Sequence, residues 1–291
     1  MINVRFVLTG ALLLSSLAVA DTAADLALAK AWNHSAEQFM NRGSYEEARL
    51  LYRRSLSLME KALGSEDPAT ITTLGNFCSA SSHLPAYLDA KPLCTRALSL
   101  REKVLGPKHP DVARSLSDLG LIYVNEGDFG HAEWLLRRAF HIYDAFPDSP
   151  DLPTLLNNFG YLYFKKGKYG PAENYFERAI ASVESTRCIE DPALVAMFGN
   201  LGTVYLANHQ YARAEQRFRQ SLAVAERAFG PEQGPSLQAL VGLARAAAAQ
   251  GNNSEAAAAL QRAQSVVDGD RLTYLEWGRA LESARASVRS R

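Results

Sequence analysis

Three cysteines (Cys78, Cys94, Cys188) and six histidines (His34, His83, His109, His131, His141, His209) are the side chains through which this chain could bind a metal, form a disulfide or move a proton. Their spacing excludes most of that chemistry. No HExxH run and no paired CxxC occurs, so no zinc-type ligand set is expected. There is no GxxxxGK[ST] loop to cradle phosphates and no GxSxG nucleophile elbow; the stretch Gly160 to Gly167 reads as helix and turn. No metal, no cofactor and no catalytic residue is expected, and the chain reads as a non-enzyme.

What remains is a disulfide question and a set of carboxamides, and both depend on where a repeat places them. A small residue returns at Ala36, Cys78, Gly120, Gly160, Gly202 and Ala244, with intervals of 42, 42, 40, 42 and 42. Each is followed by an alanine (Ala48, Ala90, Ala132, Ala172, Ala214, Ala256) and then by another small residue (Ser55, Ala97, Ala139, Ala179, Ser221, Ala263). Large residues keep step: Leu116, Leu119 and Tyr123 surround Gly120, as Leu156, Phe159 and Tyr163 surround Gly160. Offsets of three and four place them on one stripe of a first helix, and Ala132, Leu136 and Ala139 form the stripe of a second. Gly127-Asp128 and Gly167-Lys168 punctuate the turn within a unit, and Gly106-Pro107 with His109-Pro110 the join to the next. A period of this length in an all-α pattern predicts a solenoid of antiparallel helical hairpins.

The runs Leu119-Gly120-Leu121-Ile122-Tyr123, Asn158-Phe159-Gly160-Tyr161-Leu162-Tyr163 and Asn200-Leu201-Gly202-Thr203-Val204-Tyr205, with the linker Leu105-Gly106-Pro107-Lys108-His109-Pro110-Asp111, resemble the tetratricopeptide repeat family, in its longer kinesin-light-chain-like form. The resemblance covers about residues 29 to 267. It implies a right-handed superhelical solenoid, and His109 as a linker residue. The outer copies depart most, as terminal repeats that cap a stack do. The resulting organisation is a leader over residues 1–20, six hairpins over 21–268 and a C-terminal capping helix over 269–291.

On this register Cys78 holds the small position of a first helix and Cys94 the second-helix position filled by Leu136 and Phe176 in the next units. In a hairpin turning near Pro85 the two face each other. Two readings are open: a disulfide, worth about 3 kcal/mol for a loop of roughly 15 residues in an oxidising compartment, or two buried thiols filling core space. Pro92 lies inside the same second helix. Cys188 has no evident partner.

First helices of stacked hairpins line the inner side of such a solenoid. Two residues before the small position stand Asn76, Asp118, Asn158 and Asn200; three before it stand Gly75, Ser117, Asn157 and Gly199. A carboxamide both donates and accepts, which suits a peptide backbone, and the family resemblance implies such a role for Asn76, Asn158 and Asn200. The alternative is helix packing. One and four residues after the small position come Leu121 and Val124, Tyr161 and Phe164, Thr203 and Leu206, to be read as groove anchors or as core. Lys165 and Arg114 would favour an acidic segment. The candidate partner-binding set is therefore Asn76, Arg114, Asp118, Asn157, Asn158, Tyr161, Phe164, Lys165, Asn200 and Thr203. A carboxylate clamp of the type found in chaperone-tail receptors needs an asparagine directly after the small residue, where this chain has Leu121, Tyr161 and Thr203.

Ahead of the repeats, Arg5 is the only charge before an apolar run from Phe6 to Leu17 that ends at Ala18-Val19-Ala20, the pattern of a cleaved export signal. An uncleaved anchor is the alternative, with a run shorter than the ~20 residues a span prefers. Removing Arg5 from 31 basic and 31 acidic residues leaves the mature chain near −1. That balance excludes a nucleic-acid face built on excess Lys and Arg. At the other end Leu272, Leu275, Leu281, Ala284 and Val288 keep helical offsets, and Tyr274 and Trp277 would pack on the last hairpin; self-association is the other reading of this segment. The expectation is an exported, periplasmic or secreted, non-enzymatic scaffold that binds a protein, peptide or helix. A self-assembling envelope protein with homo-oligomers is the alternative, and an exported hydrolase a minor one.

Overall fold

Helix caps written into the sequence set the element boundaries. The Asp67 carboxylate accepts from the Ala69 amide (2.8 Å) with Pro68 as the first helical residue, and Asp128 accepts from the His131 amide (3.2 Å), each satisfying a donor the helix itself cannot. The structure, a computed structural model, describes residues 4–84, 87–186, 191–231, 234–269 and 281–286. Among these, no strand occurs, and the helices are α1 (Val4–Asn41), α2 (Tyr45–Leu63), α3 (Pro68–Ser82), α4 (Tyr87–Leu105), α5 (Pro110–Glu126), α6 (Phe129–Tyr143), α7 (Leu152–Lys165), α8 (Tyr169–Thr186), α9 (Ala193–Ala207), α10 (Tyr211–Phe229), α11 (Leu237–Ala249) and α12 (Asn253–Gly269), with a 3-10 turn at Gly234–Ser236. The architecture is all-α, and α3 with α4, α7 with α8, α9 with α10 and α11 with α12 pack as helical hairpins. Residues 4–20 of the expected leader fall within α1; residues 1–3 and the side chains as far as Asp21 lie outside the described residues, as do Pro85, Cys188, Leu272, Tyr274, Leu275, Trp277 and Val288.

The chain divides into two compact units, the first holding Met1–Met40 and Tyr45–Ser115, the second holding Asn41–Ser44 and Leu116–Arg291. In the first unit Ala36, Ala48, Tyr52, Leu56, Leu74, Phe77, Ala80 and Ala97 form the core. Cys78 and Cys94 are joined by a disulfide, with Cα atoms 4.9 Å apart, and both are fully buried. Arg101 of α4 is buried as well, its Nη1 donating to the Ser115 hydroxyl (2.8 Å) and the Asp111 carbonyl (3.1 Å).

In the second unit the glycine at the small position of α5, α7 and α9 admits a large group from the following helix. A Cβ placed on Gly120 would lie 2.8 Å from the Leu136 side chain, on Gly160 2.8 Å from the Phe176 ring, and on Gly202 2.8 Å from the Phe218 ring. Nothing larger than hydrogen fits there, which is why the repeat keeps this position small. The small second-helix residue does polar work where it is serine: Ser221 donates to the Val195 carbonyl (2.8 Å), as Ser55 does to that of Ala29 (2.9 Å) within the first unit. Hairpin turns need one residue of positive φ, supplied by Gly127, Gly167 and Gly251 at 81°, 70° and 80°, and by His209 at 58°. Leu281 and Ala284, in the described helical stretch 281–286, are buried in this unit's core.

Candidate protein-binding face

The first helices of the second unit are tied to one another by side-chain hydrogen bonds from their inner columns. The Asn158 amide donates to the Ser117 hydroxyl (2.9 Å), linking α7 to α5. Asn200 donates to Asn157 Oδ1 (3.1 Å), linking α9 to α7, and Gln238 donates to Asn200 Oδ1 (3.2 Å), linking α11 to α9. The Tyr161 hydroxyl donates to Asn125 Oδ1 (3.1 Å). In the first unit Asn33 of α1 donates to the Thr73 hydroxyl of α3 (2.7 Å) in the same manner.

These ties separate the candidate residues into two kinds. Asn158 and Asp118 are 4% and 5% exposed, and Asn158 gives its amide to the packing between α7 and α5. Asn157, Asn200, Thr203, Tyr161 and Phe164 are half-buried, and Lys165 is exposed with its ammonium 5.6 Å from the Tyr161 ring centroid. Thr203 turns its hydroxyl onto the Gly199 carbonyl of its own helix (2.9 Å). Asn76 and Arg114 belong to the first unit: Asn76 hydrogen-bonds the buried Tyr52 phenol, and Arg114 lies 3.8 Å from Asp111. Of the flanking positions, Leu121 and Val124 are core, 8% and 0% exposed.

Gln238, which donates to Asn200, and the exposed Arg245 lie beside the candidate residues without being among those the sequence singles out. Arg245 follows Ala244 directly, so it occupies the column of Leu121, Tyr161 and Thr203, and it is exposed. Reading that column through the weak sixth repeat would have found it. Across residues 116–126, α7, α9 and α11, the exposed charges are Lys165 and Arg245; of the two acids, Asp118 is buried and Glu126 half-buried.

Perturbed titrating groups lie elsewhere and have a different function. Glu133 of α6 accepts from Lys166 (2.8 Å), from Arg137 (2.7 Å) and from the Tyr163 hydroxyl (3.4 Å), and these hydrogen bonds, that from Lys166 foremost, hold its carboxyl down at about 2. One hairpin on, Glu173 accepts from the Tyr205 hydroxyl (2.8 Å) and from Arg213 (2.7 Å), while burial, with Glu173 beside it, pushes the Tyr205 phenol up to about 12. Each acid stands one residue after the second-helix alanine and each tyrosine three after the small position, so the signature tyrosine of one hairpin is a strut onto the previous one. Shifted pKa values can mark an active site, but here hydrogen bonds from Lys166 and Arg137 account for that of Glu133 and burial foremost for that of Tyr205. Among the described residues no group of three His, Cys, Asp or Glu could hold a metal, and no helix is long and apolar enough to cross a membrane.

No curated protein matches this chain. Several solved structures share its fold. A Rap protein complexed with competence and sporulation factor aligns with a TM-score of 0.65 at 13% identity, covering 88% of this chain and 71% of that one. BtubC (BKLC) from P. vanneervenii aligns at 0.59 with 20% identity, over 77% and 91% of the two chains, and the type IV pilus biogenesis factor PilW at 0.54 with 21%, over 81% and 92%. Tetratricopeptide repeat models match residues 39–69 and 86–145. Because the model of the MalT-like TPR region matches residues 116–290, more than half of its length, the chain belongs to the tetratricopeptide repeat proteins.

Proposed function

We propose that this chain is a non-enzymatic binding module that takes a peptide or helix of a partner protein along the first helices of its second unit. The observation that carries the reading is the composition of that face: half-buried carboxamides fixed in orientation by one another, the half-buried rings of Tyr161 and Phe164, and exposed Lys165 and Arg245 with no exposed acid among them. Carboxamides already held in place lose little conformational freedom when a backbone docks, and the two cations favour an acidic segment over a basic one. Export to a periplasm or the cell exterior is part of the proposal, supported by the apolar run Phe6 to Leu17 and by a buried disulfide of the kind that persists in oxidising compartments.

The test pairs the wild-type chain with a Tyr161→Ala, Lys165→Glu, Arg245→Glu variant in affinity capture from cell-envelope extract, with circular dichroism confirming equal helicity. A partner retained by the wild type and lost by the variant supports the face. Equal capture by both sinks it, and a mass that rises with concentration without any partner favours self-assembly. Export is tested by N-terminal sequencing of the envelope fraction, where the mature chain begins at Asp21.

A further inference from the structure

We propose that the second hairpin, α3 with α4, is a redox-conditional element, in which α4 is fixed against α3 only while Cys78 and Cys94 are joined. Three observations converge. In the second unit the small first-helix residue is covered by a bulky group, Leu136 on Gly120, Phe176 on Gly160 and Phe218 on Gly202. The second hairpin has two cysteines in the corresponding places, and the covalent bond stands where those three hairpins have a side chain packed on glycine. Reduced, the pair offers two small thiols and less contact across the hairpin than Phe on Gly. Secondly, Pro92 lies inside α4, two residues before Cys94, and removes one in-helix hydrogen bond from that helix. Thirdly, α4 carries Arg101 into its buried site, so loosening α4 draws a charge away from the Ser115 and Asp111 oxygens that hold it.

The step is a thiol–disulfide exchange with a small dithiol. One reductant thiolate attacks one sulfur of the pair, the displaced cysteine thiolate takes up a proton, and the second reductant thiolate closes its own disulfide and releases the other cysteine. Two electrons and two protons pass to the protein, and the dithiol is oxidised. Both sulfurs are fully buried, so the attack requires the hairpin to open first.

Hydrogen–deuterium exchange on the full chain, oxidised and after reduction by dithiothreitol, tests this. Exchange within residues 90–105 is expected to rise on the order of tenfold or more on reduction, as for a local opening, while peptides from 152–186 and 193–229 keep their protection. Unchanged exchange at 90–105 overturns the proposal, and so does a loss of protection in all peptides together, which would make the bond a global staple. A Cys78→Gly, Cys94→Phe variant, built on the pairing of the other hairpins, is expected to stay protected at 90–105 with dithiothreitol present. Exchange in that variant equal to that of the reduced wild type would refute the packing argument.

Discussion

The guanidinium of Arg101 fills the space that a side chain at position 75 would need: a Cβ on Gly75 would lie 2.1 Å from Nη2 of Arg101. Gly75 is on α3 and Arg101 near the end of α4, so the pair closes the same hairpin that the disulfide closes. A buried charge of this kind is tolerated because its donors are spent on fixed oxygens, here Ser115 and the Asp111 carbonyl.

Gly75→Ala is therefore expected to destabilise the first unit by about 1–3 kcal/mol through overpacking. Arg101→Ala is expected to cost about 3–5 kcal/mol through the lost partner and the space left behind. The informative measurement is the double-mutant cycle by urea unfolding. In the Arg101→Ala background the alanine at 75 should cost almost nothing, and additive costs would show that the two residues do not compete for one space.

Asn158→Ala is expected to lower stability by about 1–2 kcal/mol, because it leaves the buried Ser117 hydroxyl without its donor. Asn157→Ala, at a half-buried site, should cost less. Thermal melting of the two variants compares them; equal melting would remove Asn158 from the packing between α5 and α7.

The acid limb of stability should depend on Glu133. Its folded carboxyl is held at about 2 against an ordinary value of 4.5, so the group stabilises the fold above pH 4.5 and loses that contribution as pH falls toward 2. Glu133→Gln should cost about 1 kcal/mol at neutral pH, a modest figure because Arg137 is solvent-screened. It should also flatten the decline of the urea midpoint between those two pH values. An undiminished decline would assign the acid sensitivity to other carboxylates.

His209 has a φ of 58° at a turn where Gly127, Gly167 and Gly251 stand in other hairpins. A non-glycine residue there pays roughly 1–3 kcal/mol, against roughly 0.5–1 kcal/mol of chain entropy for a glycine. His209→Gly is therefore expected to raise stability by about 0.5–1 kcal/mol, less whatever the 2.8 Å contact of His209 Nδ1 with the Tyr211 hydroxyl contributes. A lower melting temperature would show that this contact outweighs the backbone strain.

By itself the sequence determined the hairpins, their register and the pairing of facing columns. Those follow from periodicity and local chemistry: Gly120 must be small because Leu136 faces it at fixed offsets, and Cys78 must face Cys94 because they occupy the same two offsets. Tertiary structure alone decided what long side chains do once helices stack. Gly75 reads in sequence as an open groove position, yet a guanidinium from the end of α4 fills it. Asn158 reads as a free carboxamide, yet Ser117 of the preceding first helix takes its donor. Glu133 and Tyr163 look unrelated in sequence until stacking brings one hairpin's tyrosine onto the previous hairpin's acid. Column position specifies the direction of a Cβ, whereas the reach of Arg, Asn and Tyr beyond it depends on the neighbouring hairpin, and that distance is set by packing between repeats rather than within one.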